Sequence, residues 1–138
     1  MIIRELTKKD EKKVKELISN ILKEIFRSNP CKVELDYDIF YVAEEKENII
    51  GTIALKKVHS YQGRLKRMYV NKKHRRRGLA KKLYNKIMSY CKNNNIKTIY
   101  LTTYSQMRGA QRFYQKQGFK STGKKYKDGR RQFVLKLK

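Results

Sequence analysis

Between Leu65 and Thr103 the chain reads as strand, glycine-containing turn, amphipathic helix and strand, and this order limits the possible folds more tightly than any other stretch. From Gly78 to Cys91 the residues Leu79, Ala80, Leu83, Tyr84, Ile87, Met88 and Cys91 form one stripe, with Lys81, Lys82, Asn85, Lys86 and Ser89 opposite. The β-rich run from Arg64 to Val70 precedes this helix, and Thr98 to Thr103 follows it. Two strands joined through a helix become sheet neighbours only by a right-handed crossover, which makes them parallel. Ligands of such sheets favour the crevice at the strands' carboxyl ends. The site is therefore expected where Val70 leaves its strand.

The remaining elements fit around this unit. Ile2 to Leu6 reads as an opening strand, and Thr7 caps a helix carrying Val14, Leu17, Ile18, Ile21, Leu22, Ile25 and Phe26 at helical spacing, stopped by Asn29 and Pro30. Phe40 to Glu44 and Ile49 to Lys57 form a hairpin around the polar residues Glu45 to Asn48. Asn93 to Asn95 ends the central helix. Arg108 to Gln117 is a short helix closed by Gly118, and two last strands flank Asp128-Gly129, the final one running from Gln132 to Leu137. With no repeat or linker in 138 residues, we expect one domain over residues 1–138.

Charge narrows the possible partners without choosing among them. With 36 Lys+Arg against 12 Asp+Glu the formal charge is +24, so polyanions are attracted, be they nucleic acid, coenzyme or acidic acceptor. Cys31 and Cys91 are far apart and lack metal-ligand or redox spacing, so both are expected reduced and no metal site is expected. No run approaches the roughly 20 apolar residues of a membrane helix, and the N-terminus lacks a cleavable apolar segment. A soluble cytoplasmic protein without membrane contact, monomeric or homodimeric, is the expectation.

The turn NKKHRRRGLA places a glycine at a helix start, which is anion-binding geometry. Free N–H groups point out of the first turn, the helix dipole favours negative charge, and Gly78 leaves a phosphate room to approach. Arg75, Arg76 and Arg77 add charge-assisted donors suited to phosphate oxygens. Alone, Arg-x-x-Gly-x-Ala is also what a solvated basic turn looks like; the strand before and helix after favour the phosphate reading. Downstream, AQRFYQKQGF sets Ala110, Phe113, Tyr114 and Gln117 on neighbouring turns ahead of Gly118 and Phe119. Phe113 and Phe119 read as core, whereas the Tyr114 phenol can be apolar on its ring and still present an O–H.

Taken together, the two motifs resemble the GNAT superfamily of N-acetyltransferases, over nearly the whole chain and in that family's element order. The resemblance implies an α/β fold: a mixed, mostly antiparallel sheet of about seven strands with a parallel pair at a split, flanked by about four helices. It implies acetyl-coenzyme A as co-substrate, its pyrophosphate held by the turn Arg75, Arg76, Arg77, Gly78, Leu79 and Ala80. A bulged strand segment, Met68, Tyr69 and Val70, would pair with the pantetheine arm, and Tyr114 would be the general acid. Met107 stands where the family often has a coenzyme-binding asparagine, and Arg64 where a glutamate base is common.

That reading implies direct attack of a primary amine on the thioester, the acceptor being a small molecule, a peptide N-terminus or a lysine. For the base, Glu34, Asp36, Asp38, Glu44 and Tyr104 are conceivable, while His59 and His74 have a suitable intrinsic pKa. A competing reading is a basic RNA- or ribosome-associated module that keeps the fold and has weak or lost chemistry. A coenzyme test separates the two.

Overall fold

The structure, a computed structural model, describes residues 1–27 and 33–137. Strand β1 (Ile2–Glu5) leads through a single 3-10 turn, Lys8–Asp10, into helix α1 (Glu11–Phe26). Thr7 therefore caps the 3-10 turn, and the α-helix starts later than expected, with Asp10 at its N-cap. The cause is Asp10 itself. Its carboxylate folds back to accept from the Thr7 N–H at 2.8 Å and the Thr7 hydroxyl at 2.9 Å, tightening the turn. Helix α1 gives out at Arg27, which is left-handed at φ 59°; the stop expected at Asn29 and Pro30, like Cys31, lies outside the described residues.

The hairpin of β2 (Ile39–Glu45) and β3 (Asn48–His59) runs on into β4 (Gln62–Val70). Helix α2 (Leu79–Asn93) crosses to β5 (Thr98–Tyr104), helix α3 (Arg108–Lys116) follows, and β6 (Lys120–Lys125) pairs with β7 (Arg130–Lys136). The strands form one seven-stranded sheet in the order β1-β2-β3-β4-β5-β7-β6. Among the described residues every neighbouring pair is antiparallel except β4 and β5, as the crossover demands. Among the described residues three α-helices and two 3-10 turns accompany the sheet, close to the expected four or so helices.

Two apolar layers sandwich the sheet. Val14, Leu17, Ile18, Ile21 and Leu22 of α1 pack on Phe40, Val42, Ile49 and Ala54, while Leu83, Tyr84, Ile87 and Cys91 of α2 pack on Ala43, Ile50, Ile53 and Leu55. Strand β3 is consequently buried on both faces from Ile49 to Leu55, which accounts for its mostly apolar run, broken by Thr52, where a one-sided strand would alternate. Gly51 marks the tightest approach, because a Cβ there would lie 2.9 Å from the Leu83 side chain. Burial also pushes the Cys91 thiol up to about 12, so it is chemically quiet.

Asp10 anchors the first crossing of the chain. The Arg4 guanidinium binds its carboxylate at 2.7 and 2.9 Å and, against the opposing effect of burial, holds it well below the usual carboxylate range. A folded-state value depressed in this way stabilises the protein above the unfolded carboxyl range, about pH 4, and the gain is lost as pH falls below it. Asp10→Asn should therefore cost roughly 1–3 kcal/mol at neutral pH, read by urea unfolding, with the gap to the parent shrinking below about pH 4. A gap unchanged down to about pH 2 would contradict this account.

Candidate functional site

Strands β4 and β5 pair only where Gln62, Gly63 and Arg64 meet Thr98, Ile99 and Tyr100. Beyond that point β4 stays with β3 and β5 stays with β7, so the sheet parts between Leu65 and Leu101. A bulge produces the parting. Thr52 pairs with Tyr69 and Ala54 with Lys66, so Ile53 alone faces both Arg67 and Met68, and Arg67 takes the left-handed region at φ 56°. The buried Thr52 hydroxyl donates to the Arg67 carbonyl at 2.7 Å and holds the extra residue in place. A residue inserted on one side bends and twists the strand, here away from β5.

On the α1 side the split opens into a pocket of about 250 Å³, walled by Tyr37, Tyr69, Leu101 and Tyr104, with Phe26 stacked edge-on against Tyr104 at 5.0 Å. Arg64, Lys66, Arg67 and Arg130 also line it, and among the described residues no carboxylate does. A larger depression of about 470 Å³ lies on the solvent face of α2, at Lys82, Asn85 and Lys86; it is the shallower of the two and no strand ends converge on it.

At the carboxyl end of β4 the chain makes a 3-10 turn, Lys72–His74, and enters α2 through Gly78, left-handed at φ 78° in the N-cap position. Lys82 donates to the Gly78 carbonyl as the first helical bond, at 3.2 Å, so the N–H groups of Gly78, Leu79, Ala80 and Lys81 precede the ladder. A Cβ at Gly78 would meet nothing within 4 Å, so the space before these donors is open. Arg76 is left-handed as well, at φ 66°, a conformation costing a non-glycine residue about 1 kcal/mol.

Arg75 is engaged elsewhere. Its Nε donates to the Val70 carbonyl at 3.0 Å and its terminal nitrogens reach Glu24 on α1 at 3.0 and 3.3 Å. Asn71 N–H bonds to the Ile50 carbonyl, so Val70, one residue earlier, turns its own groups away from β3 and toward the split. The Arg75 side chain thus braces the end of β4 to α1, whereas Arg76 and Arg77 are exposed.

Tyr114 lies on the opposite face of the split, buried in the layer that includes Leu79, Leu83 and Leu101, with Met68 and Val70 packed against it. The ending of α3 fixes its position. Phe119 N–H donates to the Tyr114 carbonyl at 3.0 Å and Gly118 N–H to the Gln115 carbonyl at 3.0 Å, with Gly118 left-handed at φ 102°. This is a Schellman closure, and the apolar contact that accompanies it is Phe119 on the Tyr114 ring, centroids 5.6 Å apart. Burial first, then the nearby Tyr69 and Tyr84, raise the Tyr114 phenol above its ordinary value, so it stays protonated at neutral pH.

Of the candidate bases only Tyr104 reaches the pocket, its hydroxyl 3.4 Å from Asp128. Glu44 binds Arg4, Asp38 accepts from the Lys57 N–H, and Glu34 and Asp36 are exposed outside the lining. His59 sits at the far end of β3, opposite Gln62, and His74 in the 3-10 turn keeps a buried Nδ1 without a partner among the described residues. Met107 both lines the pocket and precedes α3. Tyr37, Arg67 and Arg130 are site residues that sequence reasoning missed. Tyr37 lies in an irregular segment, the strain at Arg67 belongs to the bulge, and Arg130 comes from a distant strand.

The model of the Acetyltransferase (GNAT) family matches residues 5–119. N-acetyltransferase 8 of Homo sapiens is 30% identical over 92 residues, 63% of this chain and 40% of that protein. For N-acetyltransferase 8 of Mus musculus the identity is 30% over 94 residues, 64% and 41%. The chain thus spans about two fifths of the length of the curated relatives it matches. A GNAT-family acetyltransferase from Staphylococcus aureus Mu50 superposes with a TM-score of 0.86 at 28% identity, covering 99% of both chains. The PaiA N-acetyltransferase of Thermoplasma acidophilum, solved in complex with coenzyme A, shares the fold with a TM-score of 0.83 at 20% identity, over 99% of this chain and 98% of that one.

Because Gly78 combines a positive φ with open space, replacement by alanine tests its backbone alone. Gly78→Ala should destabilise the protein by about 1 kcal/mol in urea unfolding, from the left-handed penalty. Unchanged stability would show that the turn relaxes without cost.

Proposed function

The chain belongs to the GNAT family of acetyltransferases, and from that premise we propose that it transfers the acetyl group of acetyl-coenzyme A to a primary amine. The observation that carries this is the bulge-driven split, which opens between an anion-binding helix start on one side and an acceptor-sized pocket on the other. The chain's own residues fit the coenzyme. Donors from Gly78 to Lys81 with open space before them suit a pyrophosphate, and the exposed Arg76 and Arg77 add charge; Arg75 supports the loop from beneath through Glu24 and Val70.

The coenzyme supplies an acetyl thioester, to whose carbonyl carbon the amine nitrogen bonds as the carbon–sulfur bond breaks. Backbone N–H groups of Met68 and Val70, at the edge released by the bulge, are assigned to hold the coenzyme arm and to polarise the carbonyl oxygen. The Tyr114 hydroxyl, kept neutral by burial, donates to the departing sulfur. On the acceptor side an alkylammonium, with a pKa near 10.4, is nucleophilic in about one molecule per thousand at neutral pH. The cation-lined pocket favours its free amine, and solvent beside Tyr104 takes the proton.

Tyr114→Phe should lower kcat roughly 10- to 100-fold while acetyl-coenzyme A affinity by calorimetry stays nearly constant. Equal turnover would remove Tyr114 from the mechanism. Gly78→Val, with a branched Cβ in the open space before the donors, should weaken coenzyme binding about tenfold or more; unchanged affinity would defeat the cradle. The competing module, in which chemistry is lost, requires instead RNA affinity that falls steeply with salt and ignores coenzyme.

A further inference from the structure

The acceptor pocket carries a charge arrangement that the transfer reaction itself does not require. Three of its four cations are consecutive or nearly so on β4, at Arg64, Lys66 and Arg67, and the fourth, Arg130, comes from the register partner of Tyr104 on β7. Only Arg130 has a carboxylate, Asp128 at 2.8 Å. Arg67 donates to the Tyr37 phenol at 3.0 Å, a neutral partner. Among the described residues Arg64, Lys66 and Arg67 form no ion pair.

Clustering like charges is unfavourable, and Lys66 shows it. Partial burial first, and then Arg64, Arg130 and Arg67, hold its ammonium below the ordinary lysine range. Three cations around one cavity without a carboxylate partner are free to make charge-assisted hydrogen bonds to an anion that enters it. The rest of the lining is mostly aromatic and apolar, so these cations are the charged groups a ligand would meet there, and the coenzyme phosphates are assigned to the other end of β4, at Gly78.

We infer that the acceptor is a small amine bearing an anionic group, a carboxylate or a phosphate, which Arg64, Lys66 and Arg67 bind while the amine faces the split. The inference rests on the acetyltransferase reading and specifies its acceptor. A cavity of about 250 Å³ suits the head of an amino acid or a phosphorylated alkylamine. Its cations repel a polyamine, and a lysine side chain arriving as an ammonium gains nothing there.

The test uses matched acceptors with the full chain and acetyl-coenzyme A: alanine against alaninamide, and phosphoethanolamine against ethanolamine. The amide has the less basic and intrinsically more available amine, so a preference for the acid must come from the pocket. We expect kcat/KM at least tenfold higher for one or both charged members, the responding pair identifying carboxylate or phosphate. Lys66→Gln should reduce that preference about tenfold, mainly through KM, and Lys66→Glu should reverse it. Lys120→Gln removes the same unit of charge on the edge strand β6, outside the pocket, and should leave the preference intact.

Coenzyme affinity, measured by calorimetry on each variant, reports that the fold survives. Equal rates on charged and neutral partners, or equal loss of preference in the Lys66 and Lys120 variants, would overturn this inference and leave the acetyltransferase reading standing. Failure to bind coenzyme at all would overturn that reading, and this one with it.

Discussion

One buried hydrogen bond, from the Thr52 hydroxyl to the Arg67 carbonyl, holds β4 out of register with β3, and the site follows from that offset. An unbulged β4 would continue beside β5 to the end of both strands, closing the sheet where the pocket now stands. The strain is local. A left-handed arginine costs on the order of 1 kcal/mol, and the hydroxyl, the two-sided packing of β3 and the Tyr37 contact to Arg67 hold it in that state.

The split divides the site into two electrostatic tasks at opposite ends of one strand. At the Gly78 end, backbone donors and a helix dipole present positive potential without needing a particular side chain. At the Arg64 end the positive charge sits on side chains around a half-open, largely aromatic and apolar cavity, where the partly excluded solvent screens it less. Arg75 sits between the two and is spent on structure, joining α1, through Glu24, to the last carbonyl of β4. A single formal charge of +24 thus hides distinct roles that depend on where each guanidinium points.

Much of this was legible from one dimension. The helix over Leu79–Asn93, the parallel pair, the hairpins and the glycine at the helix start are products of local periodicity and turn chemistry, which act within a few residues. The Ala-x-x-x-Tyr-x-x-x-Gly-Phe motif also has a local cause, since Gly118 enables the Schellman closure that lays Phe119 on Tyr114. The late start of α1 was not legible, because it depends on Asp10 being drawn to Arg4 across a turn. Nor was the diversion of Arg75, whose partner Glu24 lies on another element.

By itself, then, the sequence determined the order and type of the elements, the crossover that makes β4 and β5 parallel, and the basic glycine turn at the start of α2. Tertiary structure alone decided where β4 leaves β5, which cations meet around the pocket at the split, and that none of the carboxylates nominated as bases lines it. The physical reason is range: helical and turn preferences are settled between near neighbours along the chain, whereas a bulge, a pocket and a charge cluster exist only once residues such as Thr52, Arg67 and Arg130 are brought together.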